Sequence, residues 1–283
     1  MTKKTFLLCT GAAKSGTTWI RRYLGDSPGA DMGRMGEMQI WDAITLPANA
    51  RYRIAAPSPL RRAEYALARA LHLPVRGEMF RHALQSDPDR YFAYFRNILG
   101  RPGITLTGDI TPGYAGLSAD TLAMIRDRLA ADGIETRAVF SMRDPVERAW
   151  SALRMHRRKG RLPADQSDAD AFVERYGPGG TESEVPYATS LANLDAVFPE
   201  DRLFLTLFES LFRPGTIAAF SDFAGVPARA DAGSERVNEA ANAASLPPDL
   251  ARAVFPAFAG DYAAILSRIP EAARLWPHAH LLG

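Results

Sequence analysis

Residues Thr5 to Asp26, TFLLCTGAAKSGTTWIRRYLGD, leave this chain few choices of fold. Phe6, Leu7, Leu8 and Cys9 form a short apolar run that Gly11 ends. Ala12 to Gly16 is small apart from Lys14, and Thr17-Thr18-Trp19-Ile20 begins a helical pattern that stops near Gly25. The spacing predicts strand, tight loop, helix. Such a loop leaves successive backbone N–H groups unpaired at a helix N-terminus, which is a ready-made anion site.

The loop has the glycine spacing of a Walker A motif, G-x-x-x-x-G-K-[ST]. Gly11 and Gly16 match, and Thr18 fills the [ST] place. Thr17 stands where the lysine belongs, and Lys14 lies inside the loop. A phosphate loop with an early lysine and Thr-Thr after the second glycine resembles the 5′-phosphosulfate loop of sulfotransferases, P-K-[SA]-G-T-T-W. Ala13-Lys14-Ser15-Gly16-Thr17-Thr18-Trp19 matches it everywhere but the first place. The resemblance implies that Lys14, Ser15, Gly16, Thr17, Thr18 and Trp19 bind the nucleotide.

The chain's 283 residues are enough for one large α/β domain, with 47% hydrophobic residues as in a soluble globule. A net charge of +2 sets up no field that points to nucleic acid. Cys9 is the single cysteine, so no internal disulfide is possible, which fits a reducing compartment. Lys3 and Lys4 precede an apolar run too short for a secretory signal. No stretch approaches transmembrane length. A cytoplasmic protein is expected.

Glu37-Met38-Gln39-Ile40-Trp41-Asp42 follows the first helix. By spacing alone Glu37 reads either as a solvated glutamate at a strand end or as a general base raised by partial desolvation. The segment resembles K-E-x-[HQ]-[FYW]-[FW]-D of heparan-type and bacterial sulfotransferases. That resemblance implies Glu37 as the base and puts Gln39 and Trp41 beside the acceptor. Residues 43–103 read as a helical insert punctuated by prolines, with Leu60, Leu67 and Leu71 on one face of an amphipathic helix over Leu60–Leu73. In the resembling family this region shapes the acceptor pocket. His72 and His82 have no metal-ligand partners at sensible spacing.

Ile104 to Thr107 reads as a strand, and Asp109, Thr111, Pro112 and Tyr114 follow it at an active edge. Asp109 is equally a turn cap. The segment resembles G-E-K-[ST]-P-x-Y, with Ile110 in place of lysine, which leaves Lys14 as the main cation and Asp109 and Tyr114 as acceptor candidates. Ser118 predicts the N-cap of a helix to about Ala131.

Thr136 to Met142 reads as a third strand and delivers Arg143-Asp144-Pro145-Val146-Glu147-Arg148-Ala149-Trp150-Ser151. Asp144 suits an N-cap, Pro145 the first helical position, and Glu147 a capping box. Arg143 and Ser151 are not explained by helix chemistry. They resemble the 3′-phosphate signature R-[DN]-P-x-[ED]-R-x-[WY]-S, which implies a nucleotide bearing phosphates at both 3′ and 5′ positions. The basic run from Arg154 to Arg161 reads as a helix end suited to the dipole, or as a draw for an anionic acceptor. Further helices and a strand are predicted over Tyr187–Phe198, Arg202–Phe208, Thr216–Phe223 and Pro247–Leu275. Val237 to Leu250 resembles a closing loop in which Ala241, Asn242 and Ala243 replace the basic clamp.

The expectation is therefore one α/β domain over 1–283: a P-loop NTPase-like, three-layer arrangement with a short central parallel sheet flanked by helices. The implied activity is transfer of a sulfuryl group from 3′-phosphoadenosine-5′-phosphosulfate to a hydroxyl or amine, with no metal. The acceptor is a small molecule, a glycan or a lipid. Two other readings remain: a P-loop kinase or NTPase in which Asp109 holds magnesium, and a non-catalytic nucleotide-binding protein.

Overall fold

The computed structural model describes residues 3–71, 76–182, 185–234 and 245–283. Among them are four strands, β1 (Lys4–Gly11), β2 (Leu106–Ile110), β3 (Ile134–Met142) and β4 (Leu203–Leu207), all parallel in the order β2-β1-β3-β4. The helices that position the site are α1 (Thr17–Gly25), α2 (Trp41–Thr45), α3 (Pro59–Ala70), α4 (Gly77–Ser86), α5 (Asp89–Leu99), α6 (Ala119–Ala131), α7 (Pro145–Arg158), α8 (Asp168–Tyr176), α9 (Tyr187–Asp195), α10 (Phe208–Leu211), α11 (Pro214–Ala224), α12 (Pro248–Val254), α13 (Ala259–Arg268) and α14 (Ala272–Leu275).

Strand geometry sends successive side chains to opposite faces. Phe6 and Leu8 of β1 join a core with Phe95, Ile125, Leu153 and Tyr187, while Leu7 and Cys9 join a second core with Trp19, Ile20, Tyr23 and Phe220. The run is apolar without alternation because helices cover both faces, the usual state of a parallel sheet. The result is the expected three-layer α/β architecture.

β1 lies between β2 and β3, and the chain crosses from one side of it to the other. The loops after β1 and β3 consequently part at the carboxyl end of the sheet. That is the crevice in which open α/β sheets bind ligands.

Two local expectations are corrected. β2 begins later than Ile104 and runs through Asp109, because Leu7 pairs with Gly108 and Cys9 with Ile110. Gly108 permits this: a Cβ there would stand 2.3 Å from the Leu7 carbonyl oxygen. Asp109 is thus a strand residue and not a turn cap. Glu37 is not at a strand end either. Its loop forms no ladder because side chains take its backbone groups, as described below.

The helix caps follow the chemistry with one departure. Ser118 accepts from Thr121 N, and Asp144 accepts from Glu147 N at 3.0 Å. The Glu147 carboxylate does not return to Asp144 N, as a capping box requires. That N–H donates to Glu209 at 3.1 Å, and Glu147 turns to Arg143 (3.3 Å) and His278 (3.4 Å).

Candidate active site

The loop after β1 is held down from β3. Ala12 N donates to the Ser141 carbonyl at 2.7 Å, and the buried Ser141 hydroxyl donates to the Ser15 carbonyl at 2.6 Å. Gly16 caps α1 in the left-handed region, φ 87°. A Cβ there would lie 2.6 Å from Leu211 Cδ2, so both backbone and space require glycine. The amide N–H groups of Gly16, Thr17 and Thr18 open α1 and find no acceptor among the described residues.

Lys14 is half-buried and sits at φ 65°, where L-residues are uncommon. No carboxylate pairs with it among the described residues. Burial lowers its pKa, and Arg158, Arg143, Lys159 and Arg154 lower it further. These cations come from the end of β3, from α7 and, for Lys159, from its C-cap. Glu147, Ser151, Arg154 and Arg158 share a helix face by their three- and four-residue spacing. That face meets the loop.

Arg143 packs its guanidinium over Phe208, 4.8 Å from the ring centroid, and reaches Glu147. Its backbone is pinned by Tyr187, whose hydroxyl accepts from Arg143 N at 3.1 Å and donates to Arg143 O at 2.8 Å. Asp144, fully buried, accepts from Tyr262 Oη at 2.6 Å and from His278 N at 3.0 Å. Glu147 is held below its ordinary pKa, chiefly by the His278 hydrogen bond. The β3–α7 turn is therefore rigid where an anion would meet Arg143.

The Glu37 loop approaches from the other side. Arg81 of α4 donates to the Met38 carbonyl at 2.8 Å and the Glu37 carbonyl at 2.9 Å. Gln85 Nε2 donates to the Gln39 carbonyl at 2.7 Å. Thr111 accepts from Met38 N, and Tyr114 Oη accepts from Ile40 N. Gln39 takes φ 52°, and its Nε2 lies 3.4 Å from Glu37 Oε2. Lys14 and Gln39 are the two non-glycine residues at positive φ among the described residues. Glu37 as a residue is exposed, but the protein massed around its carboxyl raises the pKa by desolvation. Arg81, Lys159 and Lys14 oppose that rise, so the carboxyl lies within electrostatic reach of the loop lysine.

Beneath this loop Asp109 is 1% exposed. It accepts from Thr111 (2.6 Å), Tyr114 (2.8 Å) and Tyr91 (2.9 Å), and desolvation pushes its pKa up to about 6 despite those bonds. Asp42, also buried, is raised to about 6, mainly by desolvation.

The structure thus brings Lys14, the loop amides, Arg143, Ser151 and Glu37 to one end of the sheet. It turns other expected site residues inward. Trp19 is 3% exposed, stacks on Tyr23 at 4.9 Å and donates to the Ala232 carbonyl. Trp41 packs against Tyr91 at 5.1 Å. Asp109 and Tyr114 belong to the support of the Glu37 loop, and Asp109 has no surface open to magnesium. Ile110 is core. Arg154, Arg158 and Lys159 were legible only as a basic run; for Arg154 and Arg158 the spacing from Ser151 was the available signal. Ala241 to Ala243 and His72 lie outside the described residues. Among the described residues no group of three His, Cys, Asp or Glu side chains could hold a metal ion.

No protein-family model and no curated protein matches this chain. Solved structures do. The fold is similar to that of a sulfotransferase from Alicyclobacillus acidocaldarius, with a TM-score of 0.59 and 22% identity over 94% of this chain and 96% of that one. Sulfotransferase domains of the curacin biosynthetic pathway (TM-score 0.44, 14% identity, 82% and 77% covered) and of the Synechococcus PCC 7002 olefin synthase (0.45, 15%, 88% and 87%) are more distant. At such identity the first likeness speaks for the fold, a four-stranded parallel sheet between helices.

Proposed function

We propose that the chain transfers a sulfuryl group from 3′-phosphoadenosine-5′-phosphosulfate to an acceptor hydroxyl or amine. The observation that carries this reading is the half-buried Lys14 in the loop whose amides open α1, with Glu37, Arg143 and the cations of the α7 region near enough to act on one another electrostatically. The donor set fits a nucleotide with two phosphate positions. Lys14 and the amides of Gly16, Thr17 and Thr18 would hold the 5′ side, and Arg143 with Ser151 the 3′ phosphate. The likeness in fold to the Alicyclobacillus enzyme supports the same reading.

When bound, the nucleotide supplies the sulfuryl group and keeps the electron pair of the broken S–O bond on its 5′-phosphate oxygen. Glu37 takes the acceptor's proton as the acceptor forms its bond to sulfur. Gln39 orients the Glu37 carboxylate. Lys14 and the loop amides stabilise the negative charge growing on the leaving oxygen, from positions fixed before reaction. Alignment of donor and acceptor supplies much of the remaining rate. Because Glu37 acts deprotonated and its pKa is raised, turnover falls on the acid side.

Calorimetric titration with 3′-phosphoadenosine-5′-phosphate, beside ATP with and without Mg²⁺, tests the site. Metal-independent binding that weakens in Arg143→Ala is expected; binding of Mg-ATP alone would overturn the reading. Glu37→Gln is expected to lower turnover by about 10²–10⁴-fold with nucleotide affinity nearly intact. Unchanged turnover would remove Glu37 from the mechanism.

A further inference from the structure

His278 lies in the turn after α14, and its segment is fastened there without the help of its ring. The His278 N–H donates to Asp144 at 3.0 Å, and the Trp276 indole donates to Glu209 at 3.1 Å. The imidazole faces something else. Its Nε2 lies 3.4 Å from Glu147 Oε1, while Oε2 of the same carboxylate lies 3.3 Å from Arg143. Glu147 can turn this way because Glu209 takes the Asp144 N–H that a capping box would offer it. The side chains of His278, Glu147 and Arg143 are 13%, 23% and 16% exposed, so water screens their charges weakly. Arg143 with Glu147 alone is a neutral pair, a poor partner for a phosphate dianion. A charged His278 restores a net positive charge to the three.

We propose that His278, in its protonated form, belongs to the 3′-phosphate grip: it offsets the Glu147 charge so that the Arg143 guanidinium serves the phosphate. This rests on the reading of Arg143 as the 3′-phosphate ligand. His278 acts through Glu147 and is therefore a positioning residue. Burial pulls its pKa down, yet the Glu147 bond and the charges of Asp144 and Glu147 outweigh burial, and the ring keeps its proton above the ordinary 6.5. The other charged and titratable groups about the pair are Arg143 and Asp144 of the turn, Arg154 of α7, Glu209 of α10 and Tyr262 of α13. Arg274 and His280 on its own segment are exposed. A bound phosphate adds negative charge and holds the His278 proton more firmly, so by linkage the nucleotide binds tighter while His278 is charged. Affinity then falls as pH rises through the raised pKa. Glu209, pushed up to about 7, contributes a fall of the same sign that a His278 variant shares. From about pH 6.5 upward the phosphate itself is largely dianionic.

Calorimetric titration of the full chain with 3′-phosphoadenosine-5′-phosphate near pH 6.5 and near pH 9 tests this. His278→Gln keeps a polar side chain at the ring's place and carries no charge. It should bind about five- to tenfold more weakly than wild type near pH 6.5, and within about twofold of wild type near pH 9. A role limited to packing would weaken binding by the same factor at both pH values. That result, or equal affinity near pH 6.5, would overturn the proposal. Glu147→Gln gives an independent check: without the carboxylate that His278 offsets, it should bind at least about threefold tighter than wild type near pH 9. Weaker binding there would also overturn the proposal. Sound wild-type binding with no pH-dependent deficit in His278→Gln sinks this inference alone. No wild-type binding at either pH sinks the sulfotransferase reading and this inference with it.

Discussion

Replacing Asp109 by asparagine separates the charge of this buried residue from its shape. The folded carboxyl titrates at about 6 against an ordinary 3.8. A raised folded pKa means that the native state keeps a proton which the unfolded chain has lost, so stability falls as pH rises from about 4 to about 6 and is level above. The penalty from this one group is about 1 kcal/mol near pH 4.5 and about 3 kcal/mol by pH 7.5. The asparagine side chain carries no such penalty. It does mismatch one of three hydroxyl donors (Thr111, Tyr114 and Tyr91), at about 1–3 kcal/mol independent of pH. The stability difference between wild type and Asp109→Asn should therefore shift by about 2 kcal/mol in the variant's favour between pH 4.5 and 7.5. Urea unfolding followed by circular dichroism at the two pH values measures it, and groups common to both proteins cancel. A difference that stays constant would refute the reasoning.

Three further outcomes are expected. Gly16→Ala forces a Cβ to 2.6 Å from Leu211 at φ 87° and should lower the melting temperature and nucleotide affinity together; an unchanged melt would show that the loop tolerates a side chain. Asp144→Ala strips acceptors from Tyr262, Glu147 N and His278 N and should cost about 3 kcal/mol or more in chemical unfolding, a loss under about 1 kcal/mol arguing against the buried hub. Cys9, buried and pushed up to about 12, should resist thiol reagents in the native protein at neutral pH; rapid labelling without unfolding would contradict its placement.

The sheet and its loops were legible because their signals are local. Phe6 to Cys9, the two loop glycines and Asp144-Pro145 each specify an element within a few residues, and those elements form where expected. The departures come from partners distant in sequence. Tyr91 closes on Asp109 from another element, so no local pattern distinguishes a buried acceptor from a turn cap there. Glu147 abandons its capping box for His278, 131 residues away. Arg81 and Gln85 hold the Glu37 loop across more than forty residues, and nothing in their helix announces it. For α3 the periodicity was readable, but which face looks outward depends on what the rest of the chain leaves uncovered.

Lys14 and Gln39 adopt a backbone conformation that costs an ordinary residue about 1–2 kcal/mol, and glycine almost nothing. Selection for thermal endurance alone would therefore favour glycine or asparagine at both positions, and a population evolved without demand for activity should lose these two side chains early. On the proposed reading, their presence is a concession of robustness to chemistry, concentrated in two peptide units, one in the loop after β1 and one in the Glu37 loop.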